Sequence, residues 1–372
     1  MKNSISHQNT SLRILVVLLL LTHSGFAQLS ARIDSLLQTY AKPDEPGFAV
    51  LVMHKGKVVL EKGYGLANIE TNTTINPETN FRMASVSKQF TAMAIALLHQ
   101  QGKLSFDDPL SKFFPEFNPN VGQQVRLRHI LTHTSGLVDY ENLIPDARTQ
   151  QVLDADVLDV LKTQDSTYFK PGSTYRYSNS GFCLLAMVVE RVAKMPFEAF
   201  VSQYIFKPVG MKASFLYSPT QPQTNRAMGY ARNEQGQLIA SDQSVTSATK
   251  GDGCVYTSLR DYVKWNNALI TNRFIKLEEE VRRMALPIDK QRSYGLGWFV
   301  AKRADGRLEF SHTGSTCGFS NLVLRIPSEQ LLVVYFSNIA GNTQPYKALF
   351  KLFQATPAFP KAHLWDVEAL TR

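Results

Sequence analysis

Two serines in this chain stand three residues before a lysine, Ser85 with Lys88 and Ser247 with Lys250. On a helix that spacing puts both side chains on one face. A lysine sheltered from water can then take the hydroxyl proton and turn serine into a nucleophile. Ser85 opens an apolar-periodic run from Val86 to Gln101 that stops at Gly102, so the spacing predicts a helix there. Ser85 falls in its first turn, where unpaired N–H groups and the helix dipole favour developing negative charge. Ser247 instead closes a polar run, 241–247, without helical periodicity. That run is expected to be a surface loop, which makes Ser85 the candidate nucleophile and Lys88 its proton acceptor.

A second polar stretch, Lys170 to Gly181, passes through a Pro-Gly turn into an apolar run and presents Tyr177 and Asn179 at the end of an element. An ammonium beside a tyrosine favours the phenolate, so the pair can pass a proton to and from a leaving group. A buried, hydrogen-bonded tyrosine would satisfy the same pattern, and Tyr140-Glu141-Asn142 repeats the string. The third stretch is Ser311-His312-Thr313-Gly314-Ser315, at the end of a β-run. A strand edge with small residues can hold an extended substrate by main-chain hydrogen bonds, or can simply be a strand end. The N–H near Ser315 could join that of Ser85 in an oxyanion hole. His129 and His133 have i,i+4 spacing but lack the glutamate of the H-E-x-x-H zinc pattern, which favours structural roles. No metal and no organic cofactor is implied.

Together and in this order the three patterns resemble the serine β-lactamase and penicillin-binding DD-peptidase family, whose signature is S-x-x-K, Tyr-x-Asn and Lys/His-Thr-Gly. The resemblance extends to 131–137, Gly251-Asp252-Gly253, 294–298 and Gly318-Phe319-Ser320, and spans roughly residues 30 to 355. It implies Ser85 as the acylated nucleophile, Lys88 as proton acceptor, Tyr177 as general base and acid, and Asn179 as a contact to the substrate amide. His312, Thr313 and Gly314 would line the pocket, with the backbone of Ser85 and Ser315 holding the oxyanion. Class C β-lactamases typically carry lysine where this chain has His312. Lysine is a near-permanent cation that holds a substrate carboxylate, whereas histidine titrates near pH 6.5. Tyr-Ser-Asn with His-Thr-Gly is similar to secreted DD-carboxypeptidases and family esterases. The expectation is an enzyme that acts on D-amino-acid peptides through an acyl-Ser85, in the manner of a D-alanyl-D-alanine carboxypeptidase. An esterase or β-lactamase is the alternative. A non-catalytic penicillin-recognition protein would be expected to lose Ser85, Lys88 or Tyr177, and all three are present.

These groups need a scaffold. Strand-like runs gather at both chain ends, at 47–62 and 294–337, with helical patterns between them. That predicts an α/β fold of two lobes: an antiparallel sheet from about 28–84 and 255–360, and a mainly helical lobe over about 85–254. The chain has 372 residues, 44% of them hydrophobic, with a net charge of +9 from scattered basic residues rather than a nucleic-acid stripe. Residues 1–27 read as an export signal, with Lys2 and Arg13 before the apolar run 14–21 and small residues at Gly25 and Ala27. The mature protein would begin near Gln28, periplasmic or secreted, with no transmembrane anchor, as a monomer acting on a small-molecule or peptide substrate. Of three cysteines, Cys183 reads as a core residue, while Cys254 and Cys317 could pair.

Overall fold

The structure, a computed structural model, describes residues 26–221, 223–303 and 305–365; most of the expected export signal lies outside them. Strands β1 (Phe48–His54) and β2 (Lys57–Tyr64) form a hairpin. Its two turn residues, Lys55 and Gly56, both have positive φ, 52° and 72°, as a type I′ turn requires. Two short strands, β3 (Phe81–Arg82) and β4 (Val255–Thr257), pair with each other outside the main sheet. The C-terminal part supplies β5 (Leu286–Pro287), β6 (Arg292–Gly295), β7 (Trp298–Lys302), β8 (Leu308–Thr316), β9 (Phe319–Ile326) and β10 (Leu331–Ser337). These join the first hairpin in one antiparallel sheet of order β5-β6-β7-β8-β9-β10-β1-β2. The seam between the chain ends is β1 against β10, in register from Phe48 opposite Ser337 to Met53 opposite Leu332.

Every residue of β1 is buried because both faces of the sheet are covered. Phe48, Val50 and Val52 pack outward with Leu324, Val333 and Tyr335 against helix α1 (26–38) and helix α6 (Gln344–Gln354). Ala49, Leu51 and Met53 face the other way, into a larger core shared with α2 (Lys88–Gln100), α3 (Asp154–Leu161), α4 (Asn179–Ala193) and α5 (Leu259–Ile270). On the outer side α6 contributes Leu349 and Phe350, and α1 contributes Ile33 and Leu37. Ten of the thirteen α2 residues are buried, so this helix is enclosed on nearly all sides. Phe90 anchors it, with its ring 4.7 Å from Trp265 and 5.3 Å from Phe206. Truncating such a ring to alanine costs about 3–5 kcal/mol.

Several local expectations change. The start of the strand-like stretch 294–337 is the hairpin β6–β7, turned by Leu296 (φ 53°) and Gly297 (φ 80°). A Cβ on Gly297 would lie 2.7 Å from the Lys88 carbonyl and the Gln89 amide, so this turn seats the start of α2. The loop 241–247 is not a free surface loop: Ser247 is buried, and its carbonyl accepts from Arg82 Nη2 at 2.8 Å. Helix α5 and a helix at Leu277–Met284 lie between β4 and β5, in a stretch that was expected to belong to the sheet lobe. Cys254 and Cys317 are not bridged; all three cysteines are free. Among the described residues no helix is long and apolar enough to cross a membrane.

Candidate active site

Strand β3 delivers the chain to a sharp bend. Met83 N–H donates to the Val255 carbonyl at 2.8 Å, and Ala84 then takes φ 48°, a conformation uncommon for a residue with a Cβ. A 3₁₀ turn, Ala84–Ser87, runs directly into α2. Ser85 is half-buried in that turn, and Lys88, one turn on, is fully buried. Lys88 Nζ lies 3.2 Å from Ser85 Oγ, 2.8 Å from Asn179 Oδ1 and 2.9 Å from the Asp252 carbonyl. Two of these partners are oxygens that only accept. When the amine is neutral its two N–H bonds satisfy them, which leaves the lone pair directed at Ser85 Oγ.

Asn179 is the first residue of α4, and its Nδ2 donates to Glu141 Oε1 at 2.8 Å. The preceding Tyr177 presents its ring to the ammonium, 4.9 Å from Lys88 Nζ to the centroid. Its hydroxyl is buried without a hydrogen-bond partner, a state that is costly unless something supplies one. His133 packs beneath it at 4.2 Å between ring centroids, and its Nδ1 accepts from the Ser178 amide at 3.2 Å. Burial first, then the Lys88 charge, holds His133 well below the usual histidine range. His129 Nδ1 accepts from the Arg126 amide at 3.2 Å, so each histidine of the i,i+4 pair serves a different backbone group.

On β8 the side chains alternate. His312 is buried at 1% exposure, Thr313 is half-buried and Ser315 is exposed. The His312 ring reaches away from solvent, where Nδ1 donates to the Thr313 carbonyl at 2.6 Å and Nε2 accepts from the Tyr294 hydroxyl at 3.0 Å. Burial and the Lys88 charge pull it down to about 3, against the pull of the carbonyl bond. The expectation that His312 lines the pocket as a possible cation is therefore corrected: it is neutral, enclosed and bonded at both nitrogens. Gly314 has a different task. A Cβ there would stand 2.3 Å from the Met83 carbonyl and 3.1 Å from the Ser85 amide, so glycine lets β8 close on the turn that carries Ser85. Strand β7 pairs with β8 only as far as Ser311, which leaves the edge from Thr313 to Thr316 unpaired on that side.

Ser85, Asn179 and Ser315 meet at a narrow cleft of about 80 Å³, walled by Tyr140, Glu141 and Asp252. Two wider clefts, of about 360 and 350 Å³, open elsewhere on the surface, one beside Lys276 and Arg307 and one beside Lys212 and Gln223. The narrow one holds Ser85, with Lys88 buried behind it, so size is no guide to chemistry in this molecule. Glu141 and Asp252 were not singled out as site residues from the sequence. Glu141 stood in the repeated Tyr-x-Asn string, and Asp252 in a Gly-Asp-Gly segment that read as framework.

The sequence matches the family described as Beta-lactamase over residues 33–354. The chain belongs to the Beta-lactamase family. It is a serine hydrolase with the fold of that family's members, as its motifs suggested. Penicillin-binding protein 4* of Bacillus subtilis (strain 168) is 27% identical over 337 residues, covering 86% of this chain and 74% of that protein. Among solved structures, a penicillin-binding protein from Bacillus halodurans superposes with a TM-score of 0.76 at 25% identity, covering 87% of this chain and 99% of the other. A D-amino acid amidase from Ochrobactrum anthropi SV3, complexed with L-phenylalanine amide, shares the fold with a TM-score of 0.74 at 21% identity, over 88% and 99% of the two chains.

Proposed function

We propose that this member of the Beta-lactamase family is an exported hydrolase that cleaves amide bonds of D-amino-acid peptides through an acyl-Ser85 ester. The observation that carries the reading is Lys88 Nζ at 3.2 Å from Ser85 Oγ with its other two contacts fixed on acceptors. Lys88 takes the serine proton as the hydroxyl attacks the carbonyl carbon. The carbonyl oxygen gathers charge against the amides of Ser85 and Ser315. The unpartnered Tyr177 hydroxyl carries the proton to the departing amine, and water then releases the acyl group along the reverse path. Asn179 spans Lys88 and Glu141, and so stands where the substrate amide would lie.

One observation favours a second reading of the substrate. A carboxypeptidase must hold the terminal carboxylate of its substrate, and a neutral, enclosed His312 offers no cation for it. Hydrolysis of amides or esters without that carboxylate fits this pocket better than carboxypeptidase or β-lactamase action. The test begins with intact mass after treatment with a fluorophosphonate. One adduct on the wild-type protein, absent from Ser85→Ala, is the expected result; no adduct on a folded wild type would favour a recognition protein. A panel of D-Ala-D-Ala peptide, nitrocefin, p-nitrophenyl esters and amino-acid amides then orders the substrates.

A further inference from the structure

We infer that Glu141 and Asp252 form a cation subsite for the free α-ammonium group of an amino-acid amide or ester whose carbonyl is presented to Ser85. This rests on the acyl-serine reading and deepens it by naming the group beside the scissile bond. An α-ammonium nitrogen lies only about 2.5 Å from the carbonyl carbon of its own residue. Its counter-ion must therefore belong to the first ring of side chains around the nucleophile, and Asn179, Glu141 and Asp252 stand in that ring.

Two carboxylates share this wall without a cation of their own. Glu141 Oε1 takes one neutral hydrogen bond, from Asn179, and among the described residues neither Glu141 nor Asp252 is in an ion pair. Asp252 is 8% exposed, and its Oδ1 is buried with no hydrogen-bond partner. A buried, unpaired carboxylate oxygen is costly until a donor reaches it. The neighbouring cations are spent elsewhere. Lys88 is committed to Ser85, Asn179 and a backbone carbonyl. Arg82, which also lines the cleft, turns Nη1 to Gln243 and Nη2 to the Ser247 carbonyl, while its buried Nε has no partner. Glu141 is exposed at the cleft, yet desolvation there, and after it the charge of Asp252, holds its carboxyl above the ordinary range despite the bond from Asn179. An arriving ammonium would relieve that repulsion and supply the missing donors, whereas an acylated nitrogen brings neither charge nor more than one N–H.

The test measures how well alaninamide and N-acetylalaninamide, each as both enantiomers, protect Ser85 from fluorophosphonate labelling. The free amine is expected to protect at concentrations about tenfold lower than the acetylated form, as one well-placed charge-assisted contact would give. Glu141→Gln keeps an acceptor for Asn179 and removes only the charge, so the ratio between the two amides should fall towards one whatever the absolute labelling rate. Asp252→Asn, tested in parallel, should lower the same ratio. Equal protection by both amides in the wild type, protection by neither, or a ratio unchanged in both variants overturns the subsite while labelling still supports the acyl-serine reading. Failure of the wild type to label overturns that reading instead.

Discussion

Ser85-x-x-Lys88 and Ser247-x-x-Lys250 have the same spacing and opposite fates. In the first, a 3₁₀ turn running into α2 stacks the two side chains, and the core encloses the amine. In the second, Ser247 Oγ accepts from the Ser244 amide within a turn, while Lys250 swings out to Glu190 at 3.1 Å and Glu198 at 2.9 Å. Those carboxylates outweigh burial and raise the Lys250 ammonium, keeping it charged. Lys88 has amide and backbone oxygens around it instead of carboxylates, which hold its Nζ beside Ser85 Oγ. The duplicated tyrosine string divides the same way. Asn179 begins α4 and reaches Lys88, whereas Asn142 is exposed. The same spacing brings serine and lysine together only where helix geometry aligns the side chains and no carboxylate draws the amine away.

The largest contrast should appear in turnover. Ser85→Ala and Lys88→Met should each lose at least about a thousandfold in kcat/KM on an activated ester, as removal of a nucleophile or its base does. Lys250→Ala should stay within about threefold of wild type on the same substrate. If Lys250→Ala fell as far as Lys88→Met while still folded by circular dichroism, the distinction between the pairs would fail. The tyrosine strings give a smaller effect. Asn179→Ala should lower kcat/KM by about a hundredfold and Asn142→Ala by less than about twofold, because only the former touches the lysine.

His312 sharpens the comparison, because burial, and after it the Lys88 charge, depresses its ring. A ring held near pH 3 rather than 6.5 stays neutral throughout the working range. Carboxylated and neutral substrates should therefore show parallel pH profiles between about pH 5 and 9, and a selective loss of the carboxylated substrate above pH 7 would contradict this. The sign for stability is the opposite of a salt-bridged histidine. Because the folded value is depressed, the unfolded chain binds the proton first. The contribution is complete above pH 6.5 and is lost as pH falls from there towards 3, which urea midpoints across that interval would register. The smallest effect belongs to the ion pairs of Lys250. They are partly exposed, with 30% of the lysine side chain accessible, so Lys250→Ala should cost about 0.5–1 kcal/mol in denaturant unfolding.

Much of this protein could be read from local pattern. The helix after Ser85, the hairpin at Lys55-Gly56 and the strands at both ends follow from periodicity and turn chemistry, which act over a few neighbouring residues. The hairpin at Leu296-Gly297 did not, because its two strands read as one β-rich run and the reason for the turn lies at Lys88 and Gln89, some two hundred positions earlier. What the sequence by itself determined was the inventory and order of reactive groups: Ser85 with Lys88, Tyr177 with Asn179, and the His312-Thr313-Gly314 strand end. Only the tertiary structure decided that His312 is neutral behind its strand, that Ser247 and Lys250 part company, and that Glu141 and Asp252 border Ser85. Charge state and proximity depend on burial and on partners distant in the chain, and neither quantity is written in the spacing of residues along it.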